Sequence, residues 1–160
     1  MVSNGLTSIP LLTSNSLVKV FEYAKLITPE DRHIISVFGS AGKRDTKKRK
    51  VFGEIASQYC NMIILTEDDP RDENPADIAA EIKEGITDTN HIYLENRYDA
   101  IRAAVEMANV DDTILILGKG DETFIYREMG REAYCGDHIA AKEIIRKYYL
   151  GIEEENHETE

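Results

Sequence analysis

A chain of 160 residues, 42% hydrophobic and 31% charged, is long enough for one domain with a buried core. Its 30 acidic and 19 basic residues give a net charge of -11, which argues against general nucleic-acid binding and against attachment to anionic membranes. There is no long apolar run for a membrane span and no signal-peptide pattern, so a cytoplasmic location is expected, without membrane insertion.

Residues 1–15 show no clear periodicity and are expected to be an irregular N-terminal segment. Ser16 is a candidate cap for a helix carrying Leu17, Val20, Phe21 and Ala24 on one face, ended by Thr28-Pro29. Residues 33–38 are short, apolar and β-branched, the pattern of a buried strand. A loop at 39–45 leads to a helix over residues 47–59, with Val51, Phe52, Ile55, Ala56 and Tyr59 on its apolar face. Residues 61–66 predict a second strand, followed by a charged loop with two prolines. Asn74-Pro75 is a helix start, with an N-cap asparagine and proline at the first helical position. Gly85 is a plausible stop.

A third strand is predicted at 91–94. Asn96 caps the next helix, with Ile101, Ala104, Val105 and Ala108 at helical spacing. Residues 113–117 form the fourth strand, and a glycine-rich loop follows. Residues 124–127 and 132–134 flank a Met129-Gly130-Arg131 turn and predict a β-hairpin. Asp137 is the expected cap of a last helix reaching Leu150, and 151–160 read as a disordered acidic tail. Alternating strands and helices predict an α/β fold over residues 16–150. It has a mostly parallel sheet, helices on both faces, and the C-terminal β-hairpin as an antiparallel addition to the sheet edge.

In such a sheet, ligands sit beyond the carboxyl ends of the strands, where three loops gather. The first holds Gly39 and Gly42, then Lys43, Arg44, Lys47, Lys48, Arg49 and Lys50 at a helix start. A helix dipole disfavours cations there, and a bound phosphate or carboxylate would relieve the conflict. A solvated basic helix start explains the same residues. The second loop offers Asp68, Asp69 and Arg71, suited to the ammonium and carboxylate of an amino acid. Spacing alone favours the structural alternative, an Asx-turn before Pro70 with Arg71 paired to Asp72 or Glu73. The third loop gives backbone N–H groups from Gly118 to Gly120 and the carboxylate of Glu122, or is simply a flexible turn. Neither glycine loop has the spacing of a P-loop, and there is no dinucleotide fingerprint. Cys60 and Cys135 read as free thiols in a reducing compartment, and no histidine has metal-site spacing.

Three segments carry a family resemblance: Val37-Phe38-Gly39-Ser40-Ala41-Gly42-Lys43-Arg44-Asp45-Thr46-Lys47-Lys48-Arg49, Leu65-Thr66-Glu67-Asp68-Asp69-Pro70-Arg71, and Leu117-Gly118-Lys119-Gly120-Asp121-Glu122-Thr123. In order and spacing they resemble the C-terminal domain of the Mur ligases, most closely the UDP-N-acetylmuramoyl-tripeptide synthetases. The resemblance implies a Rossmann-like lid on a three-domain, ATP-dependent enzyme of peptidoglycan biosynthesis. In that family ATP phosphorylates the D-glutamate carboxylate of UDP-MurNAc-L-Ala-D-Glu, and the amine of a diamino acid attacks the acyl phosphate. By position, the resemblance implies that Arg44 binds the carboxylate end of the amino acid. Asp68, Asp69 and Arg71 would form the selectivity motif, Gly118 and Glu122 would hold the distal polar group, and Lys48 and Arg49 would face the nucleotide.

Three departures matter. The second selectivity residue is Asp69 where diaminopimelate-adding members have Asn, which points to L-lysine, with meso-diaminopimelate as the alternative favoured by Arg71. The family's Asp-Tyr-Ala-His motif has no match at Ile9-Pro10-Leu11-Leu12. The P-loop domain is absent, so ATP and Mg2+ would bind mainly outside this chain, and the chain alone is expected to be inactive. The competing expectation is a stand-alone, non-catalytic module that binds an amino acid, an anion or a partner protein.

Overall fold

The computed structural model describes residues 13–44 and 46–151. The expectations for residues 1–12, for Asp45 and for the tail beyond Gly151 lie outside the described residues.

Strand β1 (Ile34–Phe38) is buried along its whole length, as a strand covered on both faces must be. It pairs in parallel with β2 (Met62–Leu65). Beyond β2 lies β3 (Asn90–Tyr93), and on the other side of β1 lies β4 (Thr113–Ile116), all parallel. The order is therefore β3-β2-β1-β4, and the direction of strand addition reverses between β1 and β4. Loops leaving strands at such a reversal diverge and open a crevice.

Side chains alternate along β1. Ile34 and Phe38 join Ile63, Leu65 and Leu115 on one face. There they meet α1 (Ser14–Ile27), α2 (Lys47–Tyr59) and α3 (Pro75–Lys83) through Leu17, Phe21, Phe52, Ile55, Ile78 and Ile82. Ile35, Val37, Ile64 and Ile116 face the other way. Their partners are Ala100, Ile101, Ala104 and Val105 of α4 (Arg97–Met107) and Ala140 and Ile144 of α5 (Asp137–Leu150). Each fully buried Leu, Ile or Phe in these layers contributes about 1.5–3 kcal/mol relative to exposure.

The α/β architecture agrees with the sequence-based expectation, but three local features differ. Thr13, not Ser16, caps α1. Ser16 is the third helical residue; its hydroxyl accepts from the Thr13 N–H at 2.9 Å while its own N–H donates to Thr13 Oγ1 at 3.1 Å. Serine here takes the part that Glu or Gln plays in most capping boxes. At α5, Gly136 is the N-cap and Asp137 is the first helical residue, its carboxylate turned into the protein.

The third difference is the hairpin. Strands β5 (Phe124–Arg127) and β6 (Gly130–Ala133) form their own two-stranded sheet and do not extend the main one. The backbone groups of β5 are claimed by the second loop instead: Arg71 N–H donates to Tyr126 O at 2.9 Å, and Tyr126 N–H donates to Asp69 Oδ1 at 3.0 Å. The hairpin therefore lies against the loop that leaves β2. Among the described residues, no helix is long and apolar enough to cross a membrane.

Helices α2 and α3 meet backbone to backbone. A Cβ on Gly53 would collide with the Ile82 carbonyl oxygen, and one on Gly85 with the Lys50 carbonyl oxygen. Relief would need a backbone shift, so overpacking costs apply. Gly85→Ala should lower unfolding stability by about 1–3 kcal/mol, read as a lower urea midpoint at unchanged slope.

Candidate functional site

The loops leaving β1, β2 and β4 meet at the carboxyl edge of the sheet. The first two lie directly on one another because the first is glycine-rich. A Cβ on Gly39 would strike the Thr66 carbonyl oxygen, and one on Gly42 the Pro70 carbonyl oxygen. Gly42 N–H donates to Asp69 O at 2.7 Å. Next to it, Lys43 N–H donates to Glu73 Oε1 at 2.6 Å, and Lys43 Nζ pairs with Asp72 at 2.8 Å.

Arg49 completes this seam from inside. It is only 1% exposed. Its guanidinium donates to Glu73 at 2.8 and 3.1 Å, to Glu81 at 3.0 Å and to the Ala41 carbonyl at 3.2 Å. Asp72 and Glu73, the acids that could have paired with Arg71, are thus engaged by Lys43 and Arg49. Arg71 makes no ion pair among the described residues, and neither does Arg44. Arg71 also adopts a left-handed backbone, φ 56°, as does Lys43 at φ 55°. Such a conformation is uncommon for residues with a side chain and is held here by the loop contacts.

The third loop is built around Lys119. This side chain is fully buried, and its ammonium donates to Asp69 Oδ1 and to Glu122 Oε2, both at 2.6 Å. Burial alone would favour the neutral amine; the two carboxylates outweigh it and hold the pKa above the usual lysine value. Asp69 therefore forms no Asx-turn. It links the hairpin, through Tyr126 N–H, to the loop after β4, through Lys119. Gly118 and Gly120 permit the turn with φ of 116° and 55°.

A third buried cation supports these loops. Arg97, the first residue of α4, forms a bidentate pair with Asp137 at 2.7 Å for each bond. It also donates to the carbonyls of Glu67 at 3.0 Å and Leu117 at 2.9 Å. Tyr134 donates its hydroxyl to the same Asp137 at 2.7 Å. Outside it, Arg127 of the hairpin binds Glu67 and Glu132.

Asp68 lies between these cations. It is 9% exposed. Burial pushes its carboxyl up to about 6, against the pull of Arg97 and with added repulsion from Asp69. The site as a whole offers guanidinium groups without ion pairs among the described residues at its rim, and carboxylates at its base, the complement of a molecule that carries both charges.

The expected site residues fall into two groups. Asp68, Asp69, Arg71, Gly118 and Glu122 are drawn together by Lys119 and the hairpin, and Arg44 lies exposed in the adjoining loop. Lys48 is exposed on the first turn of α2, whereas Arg49, expected beside it on the nucleotide side, points into the protein and holds Glu73 and Glu81. Lys119, Arg97 and Arg127 carry the arrangement but had no assigned role in the sequence reading. For Lys119 a signal existed: a lysine between two glycines, three residues before an acid.

Asp68 gives a test. The folded state keeps the Asp68 proton up to about pH 6, whereas the ordinary value is 3.8. Between those pH values the folded state binds more protons than the unfolded one, so this group lowers stability as pH rises from about 4 to 6. Asp68→Asn removes that loss and should stabilise the domain by about 3 kcal/mol at pH 7, with little effect near pH 3.5. Urea unfolding of both proteins across that range checks it.

Comparison with known proteins gives the family of the chain. Residues 13–120 match the model of the family described as "Mur ligase, glutamate ligase domain". The UDP-N-acetylmuramoyl-L-alanyl-D-glutamate--2,6-diaminopimelate ligase 1 of Clostridium acetobutylicum is 38% identical over 136 residues, covering 85% of this chain and 27% of that protein. The corresponding ligase of Caldanaerobacter subterraneus subsp. tengcongensis is 49% identical over 92 residues, covering 56% of this chain and 19% of that protein. A solved structure of a UDP-N-acetylmuramoyl-L-alanyl-D-glutamate--2,6-diaminopimelate ligase superposes with a TM-score of 0.78 at 29% identity, over 86% of this chain and 28% of that one. The chain spans less than a third of the length of each of these proteins. By sequence and by fold, the chain belongs to the Mur ligases, as an example of their glutamate ligase domain.

Proposed function

We propose that this chain is the amino-acid-binding lid of a cytoplasmic, ATP-dependent ligase that adds a diamino acid to UDP-MurNAc-L-Ala-D-Glu, and that the diamino acid is meso-diaminopimelate. The observation that carries the choice is Arg71, a guanidinium without an ion pair among the described residues, inside the three-loop site. A second carboxylate on the incoming amino acid is its natural partner, through two parallel hydrogen bonds. The sequence-based preference for L-lysine rested on the charge of Asp69. That carboxylate is already bound by Lys119 and by Tyr126 N–H, so it is not an open ammonium site. The names of the relatives support the same substrate.

In this reading Arg44 takes the carboxylate beside the reacting amine, and Arg71 takes the distal one. Glu122 and Asp68 face the distal ammonium, and the Gly118 backbone borders it. The domain's part in the reaction is to hold the amine in line with the acyl carbon and to exclude water. The amine nitrogen bonds to that carbon, phosphate leaves, and the amine gives up a proton. ATP supplies the phosphoryl group that makes the carboxylate a competent acyl donor. In this reading Mg2+ and most of the nucleotide contacts belong to other domains of the ligase. Lys48 is the residue here that would face the nucleotide.

Calorimetric titration with meso-diaminopimelate, L-lysine and L-ornithine tests the proposal. meso-Diaminopimelate should bind tightest. Arg71→Ala should weaken it by about 2 kcal/mol, roughly 30-fold, with a smaller effect on lysine, while Arg44→Ala should weaken all three. Tighter binding of lysine, unchanged by Arg71→Ala, would overturn the choice of substrate. Binding of meso-diaminopimelate with no ligation after the remaining domains of a related ligase are supplied in trans would favour a non-catalytic module.

A further inference from the structure

Lys119 is the only lysine among the described residues that is fully buried, and it touches carboxylates from two different loops. With no exposed surface, it cannot meet a ligand directly. Its two partners can: Asp69 keeps 14% of its side chain exposed and Glu122 keeps 43%. We propose that Lys119 is a positioning residue that sets substrate choice: its ammonium cancels the charge of Asp69 and anchors Glu122, so that the site admits a second carboxylate rather than a bare ammonium. The inference rests on the diamino-acid reading above and adds a residue to it.

The argument is one of charge and geometry. Lys119 sits between Asp69 and Glu122, and Asp68 is near enough to feel the charge of all three. Remove Lys119, and two adjacent carboxylates lose their shared cation in a partly desolvated site. An incoming carboxylate would then face like charges, while an ammonium would be drawn in. Arg71 alone would have to offset both acids. Asp69 need not swing away when Lys119 is lost, because Tyr126 N–H holds the same oxygen at 3.0 Å. The substitution thus changes the charge of the site more than its shape. Replacing Asp69 with a neutral residue has the opposite sign, since it leaves Lys119 shared with Glu122 only.

The test compares affinities for meso-diaminopimelate and L-lysine in the wild-type chain, Lys119→Met, Lys119→Arg, Asp69→Asn and the double variant Lys119→Met/Asp69→Asn. Circular dichroism reports folding. Lys119→Met should lower the ratio of diaminopimelate to lysine affinity by about tenfold or more. Asp69→Asn should raise it, the double variant should return toward wild type, and Lys119→Arg should stay close to wild type. An equal loss for both ligands in Lys119→Met, or a shift toward lysine in Asp69→Asn, would show a purely structural lysine and overturn the inference. If Lys119→Met does not fold, the direction of the Asp69→Asn shift decides. A wild-type chain that binds neither ligand would overturn the functional reading and this inference with it. A wild-type chain that prefers diaminopimelate, with a ratio none of the variants moves, would overturn this inference alone.

Discussion

The guanidinium of Arg97 is the contact on which the site depends. It is buried at the start of α4, paired with the first residue of α5, and bonded to carbonyl oxygens at the ends of β2 and β4. Those carbonyls belong to the residues where the second and third loops begin. One planar group with donors in fixed directions therefore sets the spacing between both loops and the two helices beneath them. A buried cation is costly without compensation, and here Asp137 neutralises it while the carbonyls accept two more of its N–H groups.

Outward from Arg97 the same principle repeats. Lys119 joins Asp69 to Glu122, Arg127 joins the hairpin to Glu67, and Arg49 joins α2 to Glu73 and Glu81. Each cation crosses between elements that are distant in sequence. The carboxylates of the charged loop after β2 are consumed one after another by these partners. Among the described residues this leaves guanidinium groups at Arg44 and Arg71, an outer carboxylate edge at Glu122, and the buried carboxyl of Asp68. The acidic appearance of the loop in sequence is largely cancelled in the folded chain.

That cancellation marks the limit of what the sequence made legible. The strands, the order of helices and the caps at Asn74 and Asn96 follow from periodicity and local hydrogen bonding, and the structure carries them. The gathering of three loops follows from strand–loop–helix order. The partner of each charge does not. Arg49 and Lys48 are neighbours in a basic run, yet one faces the core and the other does not, a difference fixed by where α3 places Glu81. Asp137 looked like a helix cap because caps are commonly acidic; only the fold brings Arg97 to it. The hairpin likewise read as an edge strand pair, since nothing local reveals that Asp69 and the Arg71 backbone would satisfy it.

The seam between the first two loops has a bearing on how such domains can be altered. Gly42 and Lys43 bond the loop after β2 through main-chain groups, and Arg49 reaches the same loop from within α2. A segment from residue 66 to residue 74 transplanted from a relative with another substrate would arrive without these counterparts. The natural unit of exchange is therefore discontinuous, two loops and one turn of helix inherited together, and chimeras cut at the borders of a single loop would carry a specificity they had no means to hold in place.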